Sequence, residues 1–167
     1  AYARQPVSFT RGCGARLWDH RDIEYLDAIA GIAVTSLGHA NVEIAHVIAK
    51  QARTLLHTSN VFSIDWQERL GERLCTLTGM EKAFFCNSGA EANEAALKLA
   101  RLYGHHKKVA QPQIVVMENA FHGRTIATLT ATDNPAKQQG FEPLLPGFLR
   151  VPFNDIEAVR LMAEQSS

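Results

Sequence analysis

The stretch that most constrains this chain is residues 83–103, AFFCNSGAEANEAALKLARLY. Ala83–Cys86 is a short apolar run of the kind a strand buried on both faces carries. Asn87-Ser88-Gly89 breaks it. Ala90 to Tyr103 is rich in Ala, Leu and Glu, a helical composition, with Gly104 placed to end the helix and Glu94 and Lys98 spaced i,i+4 on its outer face. A linker holding Pro112 leads to a second apolar run, Ile114–Met117. Strand, helix, strand implies a right-handed parallel crossover, so this segment predicts an α/β layer. The tail repeats the theme: Leu149–Val151 reads as a strand, and Asp155 as the cap of a helix starting near Ile156.

Upstream, the periodicity differs. Residues 7–34 read as short strands joined by turns, with Ala15–Trp18 and Tyr25–Ile29 flanking the polar patch Asp19–Glu24 as a hairpin. Ile44, Val47, Ile48, Ala52, Leu55 and Leu56 fall at helical spacing over 42–56, with Asn41 as a cap. A further helix fits Trp66–Leu77, with Asp65 before it as a cap. Residues 1–57 therefore read as a smaller unit, and 58–167 as the beginning of the α/β layer domain.

Several classes of function fit poorly. The 17 basic residues balance the 17 acidic ones, so no bulk field points to nucleic acid. The longest apolar stretch, Ala28–Val34, is too short to span a bilayer. The first ten residues hold no apolar core of the signal-peptide kind. Cys13, Cys75 and Cys86 form no Cys-x-x-Cys, which suits a reducing compartment, and the histidines show no paired metal spacing. The expectation is a cytoplasmic protein with no metal, no membrane and no nucleic-acid partner.

Ligands of open parallel sheets bind beyond the carboxyl ends of strands. Two segments stand there. At Ser88-Gly89-Ala90 a glycine allows close approach, and a following helix offers free N–H groups and its positive dipole end, as an anion or phosphate requires. The same residues also make an ordinary strand-to-helix turn with Ser88 as cap, and spacing alone does not separate the two. Neither GxGxxG nor GxxxxGK[ST] occurs. The second segment is ENAFHGRT, residues 118–125. Here Phe121 can stack on a planar ring, Gly123 can turn tightly, and Arg124 can clamp a carboxylate. Taken singly, Phe121 as core, His122 as a satisfied histidine and Arg124 as a surface ion pair are the more ordinary readings. Together the two segments describe a phosphorylated aromatic cofactor that handles an amino acid.

The pair FFCNSGAEANEAALKLAR (84–101) and ENAFHGRT (118–125) resembles the class III (subgroup II) pyridoxal-phosphate aminotransferases. RLWDHRDIEYLDAIAGIAVTSLGH (16–39), LLHTSNVF (55–62) and VPFND (151–155) add to the match. One departure is visible: where the family commonly has His-Pro before the helix after Gly38-His39, this chain has Asn41-Val42. The resemblance implies an incomplete type I pyridoxal-phosphate fold, made of part of the small domain and the first βαβ portion of the large one, normally a homodimer. It implies pyridoxal 5'-phosphate held by Ser88, Gly89 and Ala90 at its phosphate, with Phe121 on its ring. It places Arg124 on the substrate carboxylate and Ser59, Asn60 and Val34 near the substrate. His122 is assigned to packing rather than to proton transfer.

The resemblance also implies a reaction: a ping-pong transfer, through the pyridoxamine form, from N2-acetylornithine to 2-oxoglutarate in arginine biosynthesis. Succinylornithine, ornithine and 4-aminobutyrate are the substrates of close relatives, and His122 favours the acetyl- and succinylornithine branch. Such chemistry needs a Schiff-base lysine. None of Lys50, Lys82, Lys98, Lys107, Lys108 and Lys137 sits in a segment resembling that of the family, so these 167 residues correspond to an N-terminal piece without the nucleophile. The alternative of another class is a domain that binds a phosphorylated ligand without catalysis.

Overall fold

Short aromatic and β-branched segments separated by turns become a three-stranded antiparallel meander, β1 (Phe9–Cys13), β2 (Arg16–Asp19) and β3 (Glu24–Leu26), in that spatial order. The computed structural model describes residues 3–165, which fall into two units, Ala1–Glu68 and Arg69–Ser167. The turn between β2 and β3 is organised by Asp19, a buried carboxylate. It accepts from Arg21 N at 2.8 Å, Ile23 N at 3.0 Å and the Tyr25 hydroxyl at 3.3 Å. Burial pushes its carboxyl up, but these donors and the Arg21 side chain outweigh burial and hold it below the ordinary value.

Downstream, α1 (Ala30–Ala33) is a single turn. All four of its residues have positive φ, between +51° and +62°. That conformation costs an L-residue roughly 1–2 kcal/mol, so something must hold it. Asp27 does: its Oδ1 accepts from Ile29 N at 3.0 Å and Ala30 N at 2.8 Å, and its Oδ2 lies 2.6 Å from His39 Nε2. His39 is fixed in turn by paired backbone bonds with Gly14. α2 (Val42–Thr54) follows, and the Asn41 side chain caps it by accepting from Glu43 N and Ile44 N, as expected.

α3 (Asp65–Thr78) runs through the division between the units. Asp65 lies inside the helix rather than capping it, because Glu68 N already bonds to Ile64 O at 3.0 Å. In the second unit, residues 83–86 form no strand, which corrects the sequence expectation. Phe84 is exposed, and only Phe85 turns inward, its ring 3.7 Å from where a Cβ on Gly71 would lie. An apolar run becomes a strand only when a neighbour pairs with it. The sheet here consists of β4 (Ile114–Met117) and β5 (Phe148–Val151), parallel and in register from Ile114↔Phe148 to Met117↔Val151.

α4 (Gly89–His106) runs past Gly104. That glycine is therefore no terminator. A Cβ there would stand 2.7 Å from Pro112 Cβ and Cγ, so its bareness admits the linker to β4. Two short helices not expected from sequence, α5 (Ile126–Ala131) and α6 (Pro135–Gln138), lie in the β4–β5 connection. α5 supplies most of the core: Thr128, Leu129, Thr130 and Ala131 are buried with Val116 of β4 and Val151 of β5. α7 (Ile156–Gln165) starts under an Asp155 cap, which accepts from Ala158 N at 3.0 Å.

The bond to His39, then those from Ala30 N and Ile29 N, hold the Asp27 carboxyl below the usual carboxylate range against its burial. A depressed carboxylate contributes stability that is present above its unfolded-state pKa, about 4, and is lost as pH falls through the folded value. In Asp27→Asn the acid-dependent fraction at this site should vanish. Urea midpoints measured from pH 6 to pH 3 should therefore fall less steeply in the variant than in the parent. Parallel slopes would remove Asp27 as a source of acid sensitivity.

Candidate functional site

The corner after β4 is built by three elements. Glu118 N extends the parallel ladder by bonding Val151 O at 2.9 Å, and the chain then turns at Asn119, whose φ is +58°. Asp133 holds this turn from both sides. Its carboxylate accepts from Asn119 N at 2.9 Å, and its own N–H donates to Ala120 O at 3.0 Å. Arg150 Nε stands 3.3 Å from the Asp133 carboxylate, an ionic contact that links the corner to β5.

The peptide of His122 is held at both ends. Its N–H donates to Thr132 Oγ1 at 2.9 Å, and its carbonyl accepts from Asn93 Nδ2 of α4 at 2.7 Å. Gly123 is buried with φ of +140°. A Cβ on it would lie 2.5 Å from Thr128 Oγ1 and 3.1 Å from Ala90 Cβ. The loop thus lies directly on the first turn of α4, and the two segments singled out in the sequence meet in space. Thr125 bonds Glu94 through its hydroxyl, and its N–H donates to Thr128 Oγ1 at 3.0 Å. Glu94 is therefore engaged with the loop and not with Lys98.

At the start of α4, the Ser88 hydroxyl accepts from Glu91 N at 3.2 Å, so it serves as the cap. Glu91 turns back and accepts from Asn87 Nδ2 at 3.2 Å and Asn87 N at 2.6 Å, bonds that hold its carboxyl below the ordinary value. Among the described residues, Gly89 N and Ala90 N have no acceptor. A side chain on Gly89 would meet nothing within 4 Å. Gly89 is exposed, and Ala90 is half-buried.

Phe121 is 68 % exposed, so it is not core. The Arg124 guanidinium lies 5.8 Å from its ring centroid, and no carboxylate pairs with Arg124 among the described residues. A stacking face and an unpaired guanidinium thus stand together beside the two open amides. These residues fit a phosphorylated planar cofactor with a carboxylate-bearing substrate: donors for the phosphate, a ring for stacking, a fork for the carboxylate. His122 contributes its backbone, while its Nδ1 is buried without a partner against an apolar cavity of about 250 Å³ between α4 and β4.

The remaining candidates lie in the first unit. Val34 follows the strained α1 turn and is exposed. Ser59 has φ of +68° and its carbonyl accepts from Phe62 N at 3.2 Å, making a turn that presents Asn60 to solvent. Asn93 and Thr132 escaped the sequence reading, and Glu94 was read there only as an outer-face partner of Lys98. Asn93 falls three residues after Ala90 and so shares its helix face, a signal that was present. Among the described residues no group of three or more His, Cys, Asp or Glu side chains is placed to hold a metal, and no helix is long and apolar enough to cross a membrane.

The family model for aminotransferase class-III matches residues 1–167. The acetylornithine aminotransferase of Nitrosomonas europaea is 59% identical over 162 residues, covering 97% of this chain and 41% of that protein. Among solved structures, the ornithine aminotransferase of Toxoplasma gondii superposes with a TM-score of 0.91 at 29% identity, over 96% of this chain and 39% of that one. The acetylornithine aminotransferase of Elizabethkingia anophelis gives 0.77 at 29% identity, over 98% and 37%. The chain spans about two fifths of the length of the curated relatives it matches.

In Gly123→Ala, the added methyl would meet Thr128 and the first turn of α4 in a backbone conformation that L-residues avoid. A loss of about 2–4 kcal/mol is expected, measured by urea denaturation. A variant as stable as its parent would mean that the loop is not seated on α4.

Proposed function

Because this chain belongs to the class III aminotransferase family, we propose that it forms the cofactor-holding face of a pyridoxal-phosphate aminotransferase acting on N2-acetylornithine and 2-oxoglutarate. The observation that carries this reading is the contact between Gly123 and Ala90. It sets two free amides, an exposed ring and an unpaired guanidinium into one corner. Gly89 N and Ala90 N take the cofactor phosphate, and the Ser88 cap keeps them aimed. Phe121 lies against the pyridine ring, and Arg124 leaves its stacked position to receive the substrate carboxylate bidentately. Pyridoxal phosphate, when bound, would supply the electron sink that makes the proton on the carbon bearing the transferred amino group removable.

This chain's residues bind and orient. None of its lysines lies in a segment resembling the family's Schiff-base segment, and Lys98, on the cofactor-proximal helix, is exposed. We assign the lysine that moves the proton to the part of the family's length that this chain does not span. On the same reading, residues 1–57 belong to the smaller domain and 58–167 to the larger, and Val34, Ser59 and Asn60 stand near the substrate. The enzyme is a cytoplasmic homodimer of arginine biosynthesis. Exposed Leu56, Phe62, Trp66, Phe84 and Phe153 are surface for a second copy and for further chain to cover.

Ornithine is the second candidate substrate, since the higher of the two TM-scores belongs to an ornithine aminotransferase. Backbone similarity does not select a substrate, and the 59% identity to an acetylornithine enzyme outweighs it. Turnover of N2-acetylornithine, N2-succinylornithine, ornithine and 4-aminobutyrate with 2-oxoglutarate should be compared in the complete protein carrying this sequence. Acetylornithine is expected to give the highest kcat/KM, and preference for ornithine would sink the assignment. The 167-residue chain alone, treated with pyridoxal phosphate and borohydride, should show no single labelled lysine by mass spectrometry. Specific labelling would relocate the catalytic group into this chain.

A further inference from the structure

We propose that Asn93 is a positioning residue, whose amide sets the height of the Phe121–Arg124 loop along α4 and so the spacing between phosphate site and ring site. The inference rests on the pyridoxal-phosphate reading of the corner. Its basis is how the loop is attached. On the side of α5 the attachment is redundant: His122 N to Thr132 Oγ1, Asn119 N to the Asp133 carboxylate, Asp133 N to Ala120 O, and Thr125 N to Thr128 Oγ1. These bonds tie the loop to α5 and the residues just after it, and none of the four reaches α4 directly.

On the side of α4, the contact at Gly123 and Ala90 has no interlocking side chain, because one partner is glycine and the other is alanine. Two small groups in contact allow sliding. Two polar contacts remain. Glu94 meets the Thr125 hydroxyl beyond Arg124, at an exposed position. Asn93 meets the main chain itself, donating to His122 O at 2.7 Å, between the ring-stacking residue and the bare glycine, at a half-buried position.

Asn93 is also one helical turn from the two open amides, on the face of Ala90. A displacement at His122 O therefore passes into the distance from Gly89 N and Ala90 N to the Phe121 ring. The bond runs from an amide that cannot titrate in the working range to a peptide carbonyl, so it acts as a fixed spacer. Loss of the donor leaves the part-buried His122 O without its Asn93 partner, and the loop gains by shifting toward another donor.

Asn93→Leu tests this with size and branching preserved, the donor removed and no charge added; Asn93→Ala shortens the side chain as well. In the complete protein carrying this sequence, the apo form is titrated with pyridoxal 5'-phosphate, with inorganic phosphate as a competitor. The visible circular dichroism of the bound cofactor is recorded, and Tm is measured alongside. For Asn93→Leu the expected result is a Kd for pyridoxal phosphate about tenfold higher, a weakened or shifted dichroic band, and a phosphate competition constant within about twofold of the parent. Asn93→Ala should behave alike.

Cofactor affinity and dichroism equal to the parent's in both variants would overturn the proposal. So would an equal loss for phosphate and cofactor, which would make Asn93 part of the phosphate site, or failure of both variants to fold, which would make it a residue of the fold. Failure of the unsubstituted protein to bind pyridoxal phosphate would instead overturn the proposed function, and the inference with it.

Discussion

The missing side chain at Gly123 is the constraint on which the rest of the corner depends. The loop after β4 approaches α4 so closely that a methyl group would overlap Thr128 and press on Ala90. Everything brought together at the candidate site follows from that approach. With the loop a few ångströms farther out, Asn93 could not reach the His122 carbonyl and Thr125 could not reach Glu94. The open amides of Gly89 and Ala90 would then face solvent, with no ring beside them. A packing fact at one residue thus converts two local motifs, 29 residues apart at the Asn93–His122 bond, into one surface.

The support behind the corner is polar, not only apolar. Thr128 and Thr130 of α5 and Thr132, the residue that ends it, are buried beside Leu129 and Ala131. Each hydroxyl is used: Thr128 Oγ1 accepts from Thr125 N, Thr130 Oγ1 accepts from Leu145 N at 3.1 Å, and Thr132 Oγ1 accepts from His122 N. A buried hydroxyl without a partner is costly, whereas a paired one fixes direction as well as distance. Alternation of threonine with apolar residues lets a helix of six residues fill the core and hold the loop at once. The arrangement suits a site whose groups must keep their spacing when a ligand arrives.

How much of this was readable in advance follows the range of the forces involved. α2 with its Asn41 cap, the β2–β3 hairpin, the start of α4 and the Asp155 cap are written in neighbouring residues, and the sequence reading placed them. Residues 83–86 carry the composition of a buried strand but not the pairing, because pairing depends on residues distant in the chain. Gly104 was misread for a similar reason: its use is set by Pro112 across space. α5 and α6 are too short for periodicity to register, although Asn134-Pro135 marks the second. Of the candidate site residues, Gly89, Ala90, Phe121 and Arg124 were identifiable by chemical type, and Asn93 and Thr132, which place them, were not. Ligand-facing groups advertise their chemistry, while supporting groups are ordinary polar residues that only geometry distinguishes.

The electrostatics of α4 sharpen what its N-terminus can do. A helix start favours anions through its dipole and its unpaired amides, yet this one already carries Glu91 in its first turn. That carboxylate is held below the ordinary value by Asn87, so it stays ionised wherever a phosphate is dianionic. Like charge then opposes a phosphate at the same helix end, and the dipole is partly neutralised before the ligand arrives. On the proposed reading, directed bonds from Gly89 N and Ala90 N do more than the general field, and the rest of the affinity comes from contacts away from the phosphate. Phe121 offers such a contact, neutral and exposed, and Arg124 has no carboxylate partner among the described residues. On the proposed reading, the corner holds its ligand by the spacing between an anion site of moderate strength and a stacking site, so that whatever fixes that spacing governs affinity.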